Sequence, residues 1–169
     1  HPTYSKNSAS KNIGETVLQS SGAKFVMDNT VIDNVNGTYD GAIIKLNGPA
    51  VITKSNLTNI QGAPTSSEYG NIYSGSGNLT ISECNFINMT GPQGAAIYFT
   101  SNSGSVLNIT KSVFDNITCL SKGIIYSTKT SYINYNVFTN VNEGINITTN
   151  YLGNGNVNYN YWGTNENAS

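Results

Sequence analysis

No arginine occurs among the 169 residues, and the only histidine is His1. Without Arg the chain lacks the planar, bidentate group that most often clamps phosphates and carboxylates. Charged residues make up 10% of the sequence and the formal net charge is −1, so no basic patch is available for nucleic acid or an anionic lipid surface. No apolar run approaches the roughly 18 residues of a spanning helix, so no direct membrane insertion is expected. Residues 1–22 do not read as a secretory signal, and the chain is expected to belong to a larger polypeptide. Cysteine is scarce too: Cys84 and Cys119 match no metal or redox spacing. No cofactor is expected.

What is abundant is asparagine, at 27 positions, accompanied by Thr, Ser, Gly and Tyr. A polar tract of this kind would be disordered if it had no pattern, but here β-branched and aromatic residues recur at fixed places. Five segments read alike: Asn29-Thr-Val-Ile-Asp-Asn34-Val35, Lys54-Ser-Asn-Leu-Thr-Asn59-Ile60, Glu83-Cys-Asn-Phe-Ile-Asn88-Met89, Lys111-Ser-Val-Phe-Asp-Asn116-Ile117 and Tyr135-Asn-Val-Phe-Thr-Asn140-Val141. Their asparagines are spaced by 25, 29, 28 and 24 residues, and Trp162 stands where the others have Ile32, Leu57, Phe86, Phe114 and Phe138. Alignment on this pattern yields an aliphatic column (Met27, Ile52, Ile81, Ile109, Ile133, Val157), a second two residues earlier that Ser131 interrupts, and a small polar one (Thr30, Ser55, Cys84, Ser112, Asn136). A further strand opens on small residues, as in Gly41-Ala-Ile-Ile44, Gly70-Asn-Ile-Tyr73, Ala95-Ala-Ile-Tyr98, Gly123-Ile-Ile-Tyr126 and Gly144-Ile-Asn-Ile147.

Short strands at this period, without helical periodicity, predict an all-β fold: a right-handed parallel β-helix of about five full coils plus a partial sixth. A leucine-rich repeat has a similar period, but its helical segment and dense Leu pattern are missing. Stacking coils about 4.8 Å apart turns each column into a ladder. Asn34, Asn59, Asn88, Asn116 and Asn140 are expected to form a buried amide ladder, since an unpaired buried amide costs about 1–3 kcal/mol. Residues 1–22 are expected to be loose apart from a cap strand within 15–22, residues 23–165 to be the repeat domain, and 166–169 a tail.

The sequence resembles the repeat regions of adhesin-like surface proteins of methanogenic archaea and, more distantly, chlamydial polymorphic outer-membrane proteins. The likeness lies in Asn85-Phe-Ile-Asn88, Lys111-Ser-Val-Phe-Asp-Asn116, Gly94-Ala-Ala-Ile-Tyr98 and Asn158-Tyr-Asn-Tyr-Trp-Gly-Thr-Asn165. It implies a pectate-lyase-like β-helix in an extracellular, cell-surface or cell-wall location, with adhesion to a host or microbial surface glycan or protein.

The same fold hosts polysaccharide lyases and glycosidases, which need clustered carboxylates. Asp33 and Asp115 share a column three coils apart, and Asp28, Asp40, Glu68 and Glu143 are scattered. The chain is therefore expected to be non-catalytic, either an adhesive module or a passive spacer. Tyr73, Tyr98 and Tyr126, aligned with Ile44, are candidate ligand contacts if they face outward; the company of Ile44 and Leu46 weighs toward the core. Lys54, Glu83 and Lys111 are expected to pair on adjacent rungs. Of eight Asn-x-Ser/Thr sequons, Asn36, Asn78 and Asn146 are the candidate glycosylation sites, Asn88 and Asn116 being reserved for the ladder. Cys84 in the inward column and Cys119 in a loop are expected to be free thiols. Recognition through loops 61–69 and 100–105 is the other adhesive possibility.

Overall fold

The computed structural model describes residues 3–5, 17–36, 42–63, 69–148 and 155–163. Among these there is no helix. Three parallel six-stranded sheets build the solenoid. The first contains β1 (Thr3–Ser5), β4 (Val31–Asn36), β7 (Asn56–Gln61), β10 (Asn85–Gln93), β13 (Val113–Ser121) and β16 (Val137–Val141). The second contains β2 (Leu18–Gln19), β5 (Ile44–Asn47), β8 (Ile72–Ser76), β11 (Ile97–Phe99), β14 (Ile125–Ser127) and β17 (Ile145–Ile147). The third contains β3 (Phe25–Asp28), β6 (Ala50–Thr53), β9 (Leu79–Ser82), β12 (Val106–Thr110), β15 (Thr130–Asn134) and β18 (Asn156–Asn158). In every sheet each strand pairs with the one three places on, so the chain passes through the sheets in turn and completes five full coils from β3 to β17, with β18 beginning a sixth. Residues 1–22 contribute β1, paired with β4 from Thr3↔Val31 to Ser5↔Asp33, and β2, paired with β5.

Like residues meet along the axis as the alternating pattern requires. In the third sheet, Met27, Ile52, Ile81, Ile109, Ile133 and Val157 are in register, as are Phe25, Ala50, Leu79, Leu107 and Ser131. Ser131, the polar interruption, is buried, its hydroxyl 2.8 Å from the Ser127 hydroxyl and 2.9 Å from the Lys129 carbonyl. In the first sheet, Phe86, Phe114, Phe138 and Trp162 stack with centroids 4.7, 4.9 and 4.4 Å apart and planes within 16°. The three phenylalanines are fully buried, and Trp162 packs against the core from the C-terminal side.

The asparagine column departs from expectation. Asn34, Asn59, Asn88, Asn116 and Asn140 do occupy one column, but they are exposed rather than buried. Their shared property is conformational: φ lies between 52° and 58° at all five. Each sits at a left-handed corner in its strand. A left-handed L-residue costs about 1–2 kcal/mol, least for Asn, whose short amide bonds locally. The amides then link rungs as a second benefit. Asn88 Nδ2 donates to Asn59 Oδ1 at 2.6 Å and Asn116 Nδ2 to Asn88 Oδ1 at 3.1 Å. Asn59 and Asn140 donate instead to the carboxylates of Asp33 and Asp115, both at 2.9 Å. The buried amides lie elsewhere. Asn71 donates to the Thr90 and Ala95 carbonyls at 3.0 Å, and Asn136 bonds both to the Ile109 carbonyl and to Asn160 at 3.1 Å.

The small polar column serves as a row of plugs at the preceding corner. The backbone N–H groups of Thr30, Cys84, Ser112 and Asn136 donate to the side chains of Ser55, Ser112, Asn136 and Asn160, at 3.0–3.1 Å. Each of these four rungs is thereby tied to the next by the side chain that fills the neighbouring corner. At the second sheet, glycine is required by close approach: a Cβ on Gly70 would collide with the Gly94 carbonyl of the next coil.

Two substitutions test this account. Phe114→Ala removes the middle of the aromatic stack and is expected to cost about 3–5 kcal/mol in denaturant unfolding. Asn88→Ala is expected to cost about 1–2 kcal/mol, and Asn88→Gly less, because Gly adopts the left-handed corner freely. Ala proving as well tolerated as Gly would show that the corner conformation is not what selects Asn.

Candidate binding surfaces

The tyrosine strip arises on the second sheet, where register decides its direction. Ile44 is opposite Ile72, and Lys45 is opposite Tyr73, so the column runs Lys45, Tyr73, Tyr98, Tyr126, Asn146. The sequence alignment was one residue out in the first and last copies, with Ile44 and Ile147 placed on the tyrosines. A one-residue slip moves a side chain to the opposite face. The correct neighbours, Ile72, Ile97 and Ile125 before the tyrosines and Ser74, Phe99 and Ser127 after them, are all buried, so the tyrosines face outward. The inclination toward the core is corrected accordingly.

Outward does not mean bare. Tyr73, Tyr98 and Tyr126 stack along the axis at centroid distances of 5.9 and 4.9 Å, and Tyr98 and Tyr126 are each only 9% exposed. Tyr69, outside the repeat, lies 4.5 Å from the Tyr73 ring and 4.9 Å from the Tyr98 ring, and is 40% exposed. Its only sequence signal is that it precedes the strand-opening Gly70. The Lys122 ammonium stands 5.0 Å from the centre of the Tyr126 ring, and the Tyr126 hydroxyl accepts from Thr148 at 3.2 Å. Burial, then the phenols of Tyr126, Tyr69 and Tyr73, push the Tyr98 phenol above its ordinary value.

A second feature is a polar groove of about 260 Å³ beside the exposed asparagine column. Asn34, Asn36, Asn59, Gln61, Asn88 and Thr90 line it, together with Val35 and Ile60. No charged side chain lines it, so it offers amide donors and acceptors to an uncharged partner. Part of the loop 61–69, namely 64–68, lies outside the described residues, as do Asp40, Glu68 and the 166–169 tail. Residues 100–105 form a turn tied to the coil before it: Asn102 Oδ1 accepts from the Ser105 hydroxyl and the Gly77 N–H, and the Ser101 hydroxyl donates to the Gly77 carbonyl at 2.6 Å.

The third feature is the other left-handed corner, between the third and first sheets. Asn29, Lys54, Glu83, Lys111, Tyr135 and Tyr159 have φ between 50° and 61°. Lys54, Glu83 and Lys111 are exposed, but no ion pair joins these described residues, contrary to the expected pairing. Tyr135 and Tyr159 stack at 5.0 Å with planes 9° apart, and are 60% and 74% exposed. An aromatic residue in the left-handed region is a genuine outlier.

The ionisable groups are spread out. Asp33 and Asp115 share a column but are separated by β7 and β10. Each accepts 2.6 Å bonds from a threonine hydroxyl, Thr58 and Thr139 respectively, besides the Asn59 and Asn140 amides already described. These bonds hold both carboxyls below the ordinary value. Among the described residues, no three His, Cys, Asp or Glu side chains gather. Both cysteines are free and buried. Cys119 is not in a loop: it belongs to β13, which runs on past its asparagine corner, and its thiol faces the Pro92, Ser121 and Gly123 carbonyls at 3.1, 2.7 and 2.8 Å. Burial pushes the Cys84 thiol up to about 11; burial and then the Glu143 side chain push Cys119 to about 12. Of the sequon asparagines, Asn78 is exposed and accepts the Val106 N–H at 2.8 Å, while Asn36 and Asn146 are half-buried. Asn88 and Asn116 are exposed as well, though hydrogen-bonded along the ladder.

No family model, curated protein or solved structure matches this chain.

The lowered aspartates generate a pH expectation. A carboxyl whose folded pKa is depressed contributes stability above its unfolded value, about 3.8, and loses it as pH falls through the lower folded value. The unfolding midpoint should therefore drop as pH is lowered from 5 toward 2. In Asp33→Asn/Asp115→Asn that drop should be smaller, and an unchanged slope in thermal melts across this range would assign the acid sensitivity to other groups.

Proposed function

We propose that this chain is a non-catalytic, adhesin-like module of an extracellular surface, holding glycan or protein ligands weakly and through many copies. The observation that carries the reading is the outward tyrosine strip, with Tyr69 laid over Tyr73 and Tyr98 at its exposed end. An aromatic face with a polar hydroxyl edge suits a partner that is apolar on one side and hydroxylated on the other. Its surroundings are amides, hydroxyls and the isolated cations Lys45 and Lys122. Separation of Asp33 from Asp115, and the Thr and Asn hydrogen bonds that each accepts at Oδ1, favour holding over acid–base turnover. The resemblance to archaeal adhesin-like repeats points the same way.

A site of this shallowness gives poor affinity singly, so attachment comes from repetition on one surface. The protein displayed in many copies on beads is expected to retain on a glycan or host-protein array at least about tenfold more than the free monomer. Tyr69→Ala should weaken that retention. Silence of the beads on every surface would favour a passive spacer, the role to which largely self-covered rings such as Tyr98 and Tyr126 are also suited. Turnover of pectin, alginate or another polysaccharide that co-purifies with the protein to homogeneity would overturn the non-catalytic reading.

A further inference from the structure

We infer that the groove beside the asparagine corner receives a neutral, linear chain of N-acetylated hexosamines, laid along the solenoid axis. The inference rests on the surface-module reading and gives it a ligand class at a place separate from the tyrosine strip. Two outward columns on the same strands build the walls, Asn34, Asn59 and Asn88 on one side and Asn36, Gln61 and Thr90 on the other. Buried Val35 and Ile60 lie between them as the floor. The strands concerned are β4, β7 and β10, and each has a neighbour on both sides in its sheet, so the groove belongs to the stack and not to an end of it. Its volume of about 260 Å³ is close to the roughly 300 Å³ at which small-ligand sites begin.

The polar groups of this groove are open, unlike the buried amides of Asn71 and Asn136. Among the described residues, the side chains of Asn34, Asn36, Gln61 and Thr90 enter no hydrogen bond, and all but the half-buried Asn36 are exposed. Asn59 and Asn88 are held by the ladder that runs from Asn116 to Asp33, and each keeps one amide hydrogen unspent. That ladder pairs amide with amide, and a ligand bearing an amide on its sugar extends the same pairing outward. Charge narrows the class. The first-sheet strands from β4 to β16 carry Asp33 and Asp115 and no lysine, so a uronate or sulfated chain is repelled. Period then selects a glycan over a peptide. Rungs recur about every 4.8 Å, whereas an extended peptide shows one edge about every 6.6 Å and meets the columns out of step. A β-1,4-linked pyranose chain turns over at each sugar and shows one edge about every second rung. Its acetamido groups then fall on the Asn36 and Thr90 rungs, with the intervening sugar over Gln61.

Asn36→Ala/Gln61→Ala removes two side chains that bond to nothing within the fold, so the melting temperature of this variant should match the parent's. The protein is made without N-glycosylation, since Asn36 and Asn88 open sequons whose glycans would fill the groove. Bead-displayed parent should be retained on an immobilised β-1,4 hexamer of N-acetylglucosamine, and the variant about tenfold less, the scale of two lost hydrogen bonds. Cellohexaose, which lacks the amides, and a galacturonic acid hexamer, which is charged, should both be held less well by the parent. Tyr69→Ala should leave retention on the N-acetylglucosamine hexamer unchanged. Failure of the parent to hold that hexamer, equal retention on cellohexaose, or undiminished retention in the groove variant would overturn the inference. A lowered melting temperature would do the same by making the pair structural. Where the hexamer is not held, retention on other surfaces that is lost in Tyr69→Ala leaves the surface-module reading intact. Cleavage of the hexamer that disappears in the groove variant would keep the groove and overturn the non-catalytic reading. Silence of the parent on every surface would remove both.

Discussion

Two left-handed corners in every coil hold this solenoid in register, one entering the first sheet and one inside its strands. Each demands a residue that tolerates φ near 55°, and each recurs on the same vertical line because the coils stack in parallel with like residues opposed. A rung that lost its corner would shift its apolar residues off the column beneath. The repeated asparagines, the plugs Ser55, Ser112, Asn136 and Asn160, and the ring stack through Phe114 all depend on that alignment.

The corners also sort polar groups into two kinds. Those that fill the bends from inside, such as Asn136 and Asn71, are buried and bonded to backbone, where an unmet amide would be costly. Those on the outside, from Asn59 to Asn116, are bonded to one another in water, where each link is worth little and conformation is the stronger selector. Asp33 and Asp115 join the outer ladder as acceptors, and this gives an otherwise sparsely charged protein a pH-sensitive element. Among the buried hydroxyls, Ser74 Oγ has no partner, and nothing in the structure explains its retention.

The proposed function rests on what the stacking leaves outside. The tyrosines of the second sheet are turned out by register yet largely cover each other, so their available surface concentrates at Tyr69. The tyrosines of the corner column, Tyr135 and Tyr159, are turned out by the corner itself and stack on each other. Both are consequences of a ladder: placing the same residue type on successive rungs makes an extended feature from single side chains, at rung spacing.

How far the sequence carried depended on how each property is encoded. The fold class, the number of coils and the interior columns through Ile52 and Phe114 were legible, because a parallel stack repeats its apolar residues at constant spacing from the Asn corner. The free state of Cys84 was also legible from its inward column. The second-sheet register was not: variable loops precede it, so no constant spacing links it to the corner, and Ile44 and Ile147 slipped by one residue onto the wrong face. Exposure of the asparagines was equally hidden, since identical spacing serves a buried amide ladder and an exposed left-handed turn. Cys119 was misplaced because only the three-dimensional course of β13 shows the strand continuing beyond Asn116. Tyr69, outside the repeat, met Tyr73 only through folding. Periodicity along the chain determined which residues align; only the tertiary structure decided which way each column faces, because that depends on backbone φ and on loops whose lengths carry no period.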